Sequence, residues 1–251
     1  LDEGFAYQGE ASRHRDGQPR GEASGHLPPT AFVDFLQNHD QVGNRALGER
    51  ITALAEPEAV RCLTALNLIS PHIPLLFMGQ EWGADTPFLY FCDFDEPLAT
   101  AVRDGRRAEF ARFPAFSDPA TRDAIPDPGA EATFARSRLD WSQPDLPQHR
   151  TRLEFHRAAL AARHRHVVPL LRRGVLRGAD VRRIGETGLC VSWHDDAGGG
   201  SLTVMLNAGP RPWAGAGSAP GFMIFETPDG AAAQLLEGVL PPWGCLWFLD
   251  D

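Results

Sequence analysis

The segment from Thr30 to Arg45 reads TAFVDFLQNHDQVGNR, and the fold prediction starts there. Its first half is a short apolar run, and Asn38, His39 and Asp40 form a polar cluster directly after it. An apolar run of this length is typical of a strand that is buried on both faces. The segment therefore predicts a buried strand with polar side chains at its carboxyl end.

A helix and a second strand follow along the chain. Residues Pro57 to Ile69 combine a proline in the first turn with apolar residues at helical spacing, and Ile73 to Met78 form another apolar run. Strand, helix and strand with a polar loop after each strand make a βαβ unit. In closed parallel barrels the active site gathers at such strand ends. The polar cluster after the first strand is thus the strongest candidate site.

Beyond Gly174 the hydrophobic pattern changes to a period of two. Alternating residues on either side of the glycine-rich stretch 195–200 predict a β-hairpin, and further strands are predicted at Phe222–Phe225 and Leu246–Leu249. We expect a small antiparallel β-sandwich domain over residues 175–251. Its four tryptophans are interpreted as core rather than as a glucan-binding surface: Trp193, Trp213, Trp243 and Trp247.

Composition excludes several classes of protein. The 251 residues carry 24 basic and 33 acidic side chains, a net charge of −9, which argues against nucleic acid as a partner. No apolar run approaches the ~20 residues that span a bilayer, so no membrane partner is expected. The four cysteines form no C-x-x-C pair. We therefore expect no metal, no cofactor and a cytoplasmic protein with reduced thiols.

The polar cluster allows two interpretations from its residues alone. A carboxylate and an imidazole side by side can accept and donate hydrogen bonds to adjacent hydroxyls of a sugar. Alternatively, His39 and Asp40 cap the helix or turn that follows, because Asp is a common N-cap residue.

The two strand segments resemble the α-amylase family of glycoside hydrolases. Leu27–Arg45 is similar to the family's motif at the end of the seventh barrel strand, and Ile73–Gly83 is similar to its eighth strand. Three further segments resemble a trehalose-releasing member of the family: Gly4–Glu10, Thr86–Phe91 and Arg112–Phe116. The resemblance implies an α/β chain that forms the C-terminal part of a (β/α)₈ TIM barrel over residues 1–174, followed by the β-sandwich.

The resemblance also implies a reaction and roles for individual residues. The reaction is retaining hydrolysis of the α-1,4 bond next to the terminal trehalose of a maltooligosyl trehalose; a branching enzyme or an amylase is the alternative within the family. Asp40 would stabilise the oxocarbenium-like transition state, and His39 would contact the same sugar ring. Asn38, Gln41 and Trp82 are further candidate substrate-binding residues, Trp82 by stacking on glucose.

The family's nucleophilic Asp and acid/base Glu belong to its fourth and fifth strands, which are not in this sequence. We expect both to lie upstream of Leu1, so the partner of this chain is the N-terminal part of its own enzyme, and the chain alone should be inactive. The chain also opens without Met, which suggests a fragment. The rival interpretation is a complete, noncatalytic carbohydrate-binding or assembly protein that folds on its own.

Two further features have structural interpretations. Asp34 lies inside the first apolar run, so we expect it to be paired with an arginine or a backbone group. Ten arginines lie between Arg150 and Arg183, with His149, His156, His164 and His166 in the same region. We interpret them as the solvated side of the last barrel helix, rather than as a metal or nucleic-acid site.

Overall fold

The structure is a computed structural model, which describes residues 3–174, 176–195 and 200–250. The strands are β1 (Gln8–Ala11), β2 (Pro19–Gly21), β3 (Val33–Asp34), β4 (Ile73–Pro74), β5 (Leu176–Ile184), β6 (Gly188–Asp195), β7 (Ser201–Asn207), β8 (Trp213–Ala214), β9 (Phe222–Thr227), β10 (Val239–Leu240) and β11 (Cys245–Asp250). The helices are α1 (His39–Gly43), α2 (Ile51–Leu54), α3 (Pro57–Ile69), α4 (Leu98–Phe110), α5 (Pro119–Asp123), α6 (Glu131–Arg136), α7 (Pro147–Ala162), α8 (Val168–Arg173) and α9 (Ala231–Leu236).

The chain forms two compact units. The first comprises residues 1–36, 56–75 and 154–251, and the second comprises residues 37–55 and 76–153. The predicted division between residues 174 and 175 stays a prediction. Among the described helices, none combines the length and the apolar character that a membrane crossing requires.

The first unit is built on a five-stranded antiparallel sheet in the order β5-β6-β7-β11-β9. Strands β6 and β7 pair with Trp193 opposite Leu202, which confirms the predicted hairpin. Residues 196–199 of its turn lie outside the described residues. The strands predicted at 222–225 and 246–249 are confirmed by β9 and β11.

Both faces of this sheet are covered. On one face, Trp193 and Trp247 stack with ring centroids 5.9 Å apart and an interplanar angle of 14°, and both are buried, which confirms their predicted place in the core. On the other face, Met205 and Phe248 pack against Leu235 of α9 and Leu240 of β10. The predicted sandwich stays a prediction: the layer on this face consists of a two-stranded sheet (β8 and β10) and α9.

The two strands predicted to be buried are short and exposed in this chain. β3 and β4 pair in parallel over two residues each, with Val33 opposite Ile73. Val33 is 53% exposed and Ile73 is also exposed, so the prediction of burial on both faces is wrong for these residues. A parallel strand is buried only where further strands and helices cover it. Helix α3, by contrast, has both ends where the sequence predicts them.

Two other regions carry more structure than their composition suggests. The content of Gly, Arg, Glu and Ser in residues 1–30 predicts a long surface loop, but β1 and β2 pair there as a short antiparallel ribbon. The sequence from Ala84 to Pro147, dense in Phe, Asp and Pro, predicts a long irregular region with one short helix at residues 96–112. The structure has α4 close to that helix, and also α5 and α6. Helix α5 begins with a capping Asp118 and a proline, whereas α6 has no side-chain cap, and both helices are too short to stand out in an irregular segment.

Asp34 has a partner, as expected, but the partner is a histidine. Its Oδ2 lies 2.6 Å from Nδ1 of His72, which is buried.

Replacing Asp34 with Ala should lower the free energy of unfolding by about 1–3 kcal/mol, because a buried ring nitrogen loses its partner. The matched control is Asp180→Ala, which breaks the exposed pair between Asp180 and His194 at 2.9 Å. In denaturant unfolding of the full-length protein, the control should lower the free energy of unfolding by less than about 1 kcal/mol. Equal losses for the two variants would mean that the buried pair stabilises the fold no more than the exposed one.

The buried cysteines of the first unit are predicted to be unreactive. Burial raises the pKa of the Cys62 thiol to about 12, and burial also raises the pKa of Cys245 well above its ordinary value. At about pH 8 only about one Cys62 in ten thousand would be a thiolate, which is the nucleophilic form. A chromogenic thiol reagent should therefore label both cysteines only at the rate of unfolding. Labelling of Cys62 at the rate of a free thiol in native protein would disprove this.

Candidate functional site

The candidate site residues lie at the start of the short helix α1, which follows β3 in the chain. Asn38 is the N-cap residue, and its Oδ1 accepts a hydrogen bond of 2.9 Å from the backbone N–H of Gln41. Satisfying such an amide is the usual function of a capping side chain. The alternative in which His39 or Asp40 caps the helix is therefore corrected, because Asn38 makes the cap.

The side chains of His39 and Asp40 are open to solvent. They are 70% and 72% exposed, and His39 Nε2 lies 3.3 Å from Asp40 Oδ1. Asp40 stands in the first turn, where the positive end of the helix dipole favours a carboxylate. An exposed carboxylate beside an imidazole can bind the hydroxyls of a ligand without first breaking a buried contact.

The other candidate residues have different surroundings. The backbone N–H of Gln41 is bonded to Asn38, and the side chain of Gln41 is exposed next to Asp40. Asn38 is half-buried, with its carbonyl oxygen bound to the helix. The first turn of α1 thus brings together Asn38 through Gln41, and Trp82 lies in a separate 3₁₀ turn, Gln80–Trp82.

Trp82 is only 3% exposed. Its carbonyl oxygen lies 2.9 Å from Nδ1 of the buried His149, and its ring lies 5.3 Å from that of Trp141. Stacking on glucose needs an open ring face, so the geometry gives the predicted stacking of Trp82 no support. Trp141 is 73% exposed and was missed from the sequence, because one aromatic in a polar loop gives no periodic signal.

The arginine- and histidine-rich region is not uniformly solvated. His149, His156 and Arg163 are buried, so the interpretation of a solvated face is wrong for these three residues. Arg163 lies in a π-helical turn, Arg163–Val167, and donates to the backbone carbonyl oxygens of Leu68, Ser70 and His72. Within the described ranges, no cluster of His, Cys, Asp or Glu could hold a metal ion.

Arg50 organises the loop that carries Trp82. It is buried, and its guanidinium donates to the carbonyl oxygens of Thr86 (2.6 Å) and Met78 (2.8 Å). Burial lowers the pKa of Arg50, and the charge of Glu81 opposes that shift. Arginine stays protonated even so. The two hydrogen bonds of Arg50 connect Met78, before the turn that carries Trp82, with Thr86 after it.

Comparisons with known proteins find similar sequences over much of the chain. The chain is 34% identical over 252 residues to a malto-oligosyltrehalose trehalohydrolase of Rhizobium sp. (strain M-11), an alignment that covers 96% of the chain and 39% of that protein. It is 46% identical over 138 residues to a protein of the same name from Arthrobacter ramosus, covering 55% of the chain and 23% of the relative. The chain thus spans about two fifths or less of the length of these relatives.

A solved structure supports the same relationship. A crystal structure of a candidate alpha amylase from Salmonella typhimurium superposes with a TM-score of 0.87 at 41% identity, over 100% of this chain and 40% of that one. No family model matches the chain. The chain is a homologue of curated malto-oligosyltrehalose trehalohydrolases, and its structural neighbours are α-amylase family enzymes.

Proposed function

We propose that this chain is the C-terminal part of an enzyme that hydrolyses the α-1,4-glucosidic bond next to the terminal trehalose of a maltooligosyl trehalose. The product, trehalose, makes this a step of trehalose biosynthesis. The observation that carries the proposal is the likeness to the Rhizobium relative, which extends over 96% of the chain. The free thiols of Cys62, Cys92, Cys190 and Cys245 suit a reducing cytoplasm.

In this proposal Asp40 is the carboxylate that stabilises the transition state. A sugar cation gains from a fixed anion that needs no reorganisation as charge develops. His39, adjacent to it, would bind a hydroxyl of the same ring, with Gln41 beside them. A retaining mechanism needs two further carboxyl groups about 5 Å apart, and we assign these to polypeptide outside this chain, since the relatives are more than twice its length.

We also propose that β3 and β4 are adjacent strands of a (β/α)₈ barrel, with α3 as the helix that connects them. Their parallel pairing supports this, since parallel neighbours require a crossover helix. Exposed apolar residues on and directly after both strands support it too, because a barrel wall would cover Val33, Phe35, Ile73 and Leu75. Residues 1–174 would then be the end of the barrel, and residues 175–251 a C-terminal β domain.

The test is to incubate purified full-length protein with maltooligosyl trehalose and identify the products. Release of trehalose supports the proposal. Maltose alone, or branched glucan, would indicate an amylase or a branching enzyme. Residues 1–251 expressed alone should release no trehalose. If they instead form a cooperatively folding monomer that binds maltodextrin, the chain is a noncatalytic binding protein.

A further inference from the structure

The position of Asp40 depends on the helix that carries it. The close partner of its carboxylate among the described residues is the adjacent His39, which is itself exposed. Among the described residues, therefore, no buried contact holds the carboxylate directly. Its placement follows from the backbone of α1, which has only five residues and cannot be stable by itself. What fixes the two ends of α1 determines where the charge stands.

Asn38 fixes the first end of α1, and an arginine from another helix holds the second. Nη2 of Arg106, in α4, donates hydrogen bonds of 2.8 Å to the carbonyl oxygens of both Gly43 and Arg45. Carbonyls at a helix C-terminus have no partner within the helix, and a cation there also interacts favourably with the dipole. One guanidinium thus satisfies the end of α1 and the turn after it.

The guanidinium of Arg106 is itself held in place. Its central carbon lies 4.8 Å from the ring centre of Tyr90 and 5.2 Å from that of Phe110, within the range of cation–π attraction. Partial burial lowers the pKa of Arg106, but an arginine remains charged at neutral pH. Tyr90 and Phe110 therefore orient the guanidinium of Arg106, whose N–H groups donate to carbonyl oxygens at the end of α1, the helix that carries Asp40.

We propose that Arg106 is a positioning residue, which sets the placement of Asp40 by fixing the C-terminal end of α1. This inference rests on the proposed function, in which Asp40 stabilises the transition state. A displacement of about 1 Å in a catalytic group can cost about a hundredfold in rate. A charge that acts mainly in the transition state affects kcat more than KM.

The experiment is a double-mutant cycle in the full-length protein, with maltooligosyl trehalose as substrate. Arg106→Met should lower kcat by about tenfold to a hundredfold and change KM by less than about threefold. Arg106→Lys, which keeps one donor group and the charge, should restore part of kcat. Arg112→Met, an exposed arginine just beyond α4, is the matched control and should leave kcat unchanged.

The decisive measurement is Arg106→Met in the Asp40→Asn background. If Arg106 acts through Asp40, its further effect there should be less than about threefold, because two groups that act as a unit are non-additive. An equal loss in both backgrounds would show a general structural role and overturn the inference. Full turnover by Asp40→Asn would instead overturn the proposed function. If Arg106→Met does not fold, Arg106→Lys replaces it in the cycle. The loss of kcat that Arg106→Lys causes alone should then be absent when Asp40→Asn is already present.

Discussion

Replacing Asp40 with Asn in the full-length protein is expected to lower kcat by about 10²–10³-fold, the usual cost of losing an electrostatic contact to the transition state. The amide keeps the shape of the carboxylate but carries no charge. Because Asp40 is exposed and pairs only with the exposed His39 among the described residues, folding should be almost unaffected. Kinetics with maltooligosyl trehalose and thermal unfolding measured on the same preparation provide the test.

A matched variant separates charge at the site from charge in general. Asp145 is exposed in a 3₁₀ turn (Gln143–Asp145) of the same unit, and Asp145→Asn removes an equal charge. We expect it to retain full turnover. If Asp40→Asn turns over as fast as Asp145→Asn, Asp40 is not part of the catalytic machinery, and the exposed cluster on α1 needs another explanation.

The second large effect is on stability. Arg163→Met should lower the free energy of unfolding by about 3 kcal/mol or more, because three buried carbonyl oxygens lose their donors at about 1–3 kcal/mol each. Arg163 is 5% exposed, and Leu68, Ser70 and His72, whose carbonyls it binds, lie at and beyond the end of α3. Methionine nearly fills the volume, so the lost hydrogen bonds dominate the change.

Denaturant unfolding of the full-length protein measures this effect. Arg165→Met is the control, because Arg165 lies two residues away in the same π-helical turn and is exposed. Its free energy of unfolding should change by less than about 0.5 kcal/mol, as is usual for surface substitutions. Equal shifts for the two variants would mean that the carbonyl oxygens find water or other donors when Arg163 is absent.

Local signals in the sequence were sufficient for some elements. Pro57 in the first turn and the apolar stripe after it predict α3 with both of its ends. Alternation predicts β6 and β7, because Val191, Trp193, Leu202 and Val204 are buried apolar residues at a period of two, although β7 also buries Thr203 and Asn207. β5 was missed, since Arg177, Arg182 and Arg183 make it polar and it lies at the edge of the sheet, where few residues are buried.

Other features depend on tertiary contacts that no local pattern records. An apolar run predicts that a segment is buried, but it does not show which strands pair with that segment. The lengths of β3 and β4 were therefore overestimated from the sequence. Among ten arginines, the composition does not distinguish the inward Arg163 from its solvated neighbours. In the candidate site, the sequence identified Asn38, His39 and Asp40 as a group but not the contribution of Arg106, which is more than sixty residues away along the chain.

The stacked indoles of the five-stranded sheet have a spectroscopic consequence. Trp193 and Trp247 are shielded from solvent in the first unit, whereas Trp141, in the second unit, is largely in water. A collisional quencher should therefore suppress the fluorescence of Trp141 and leave that of the stacked pair. Compact units can open at different free energies. The gain of quenchable emission on unfolding would report the opening of the buried indoles, those of the stacked pair in the first unit and that of Trp82 in the second, without any attached dye.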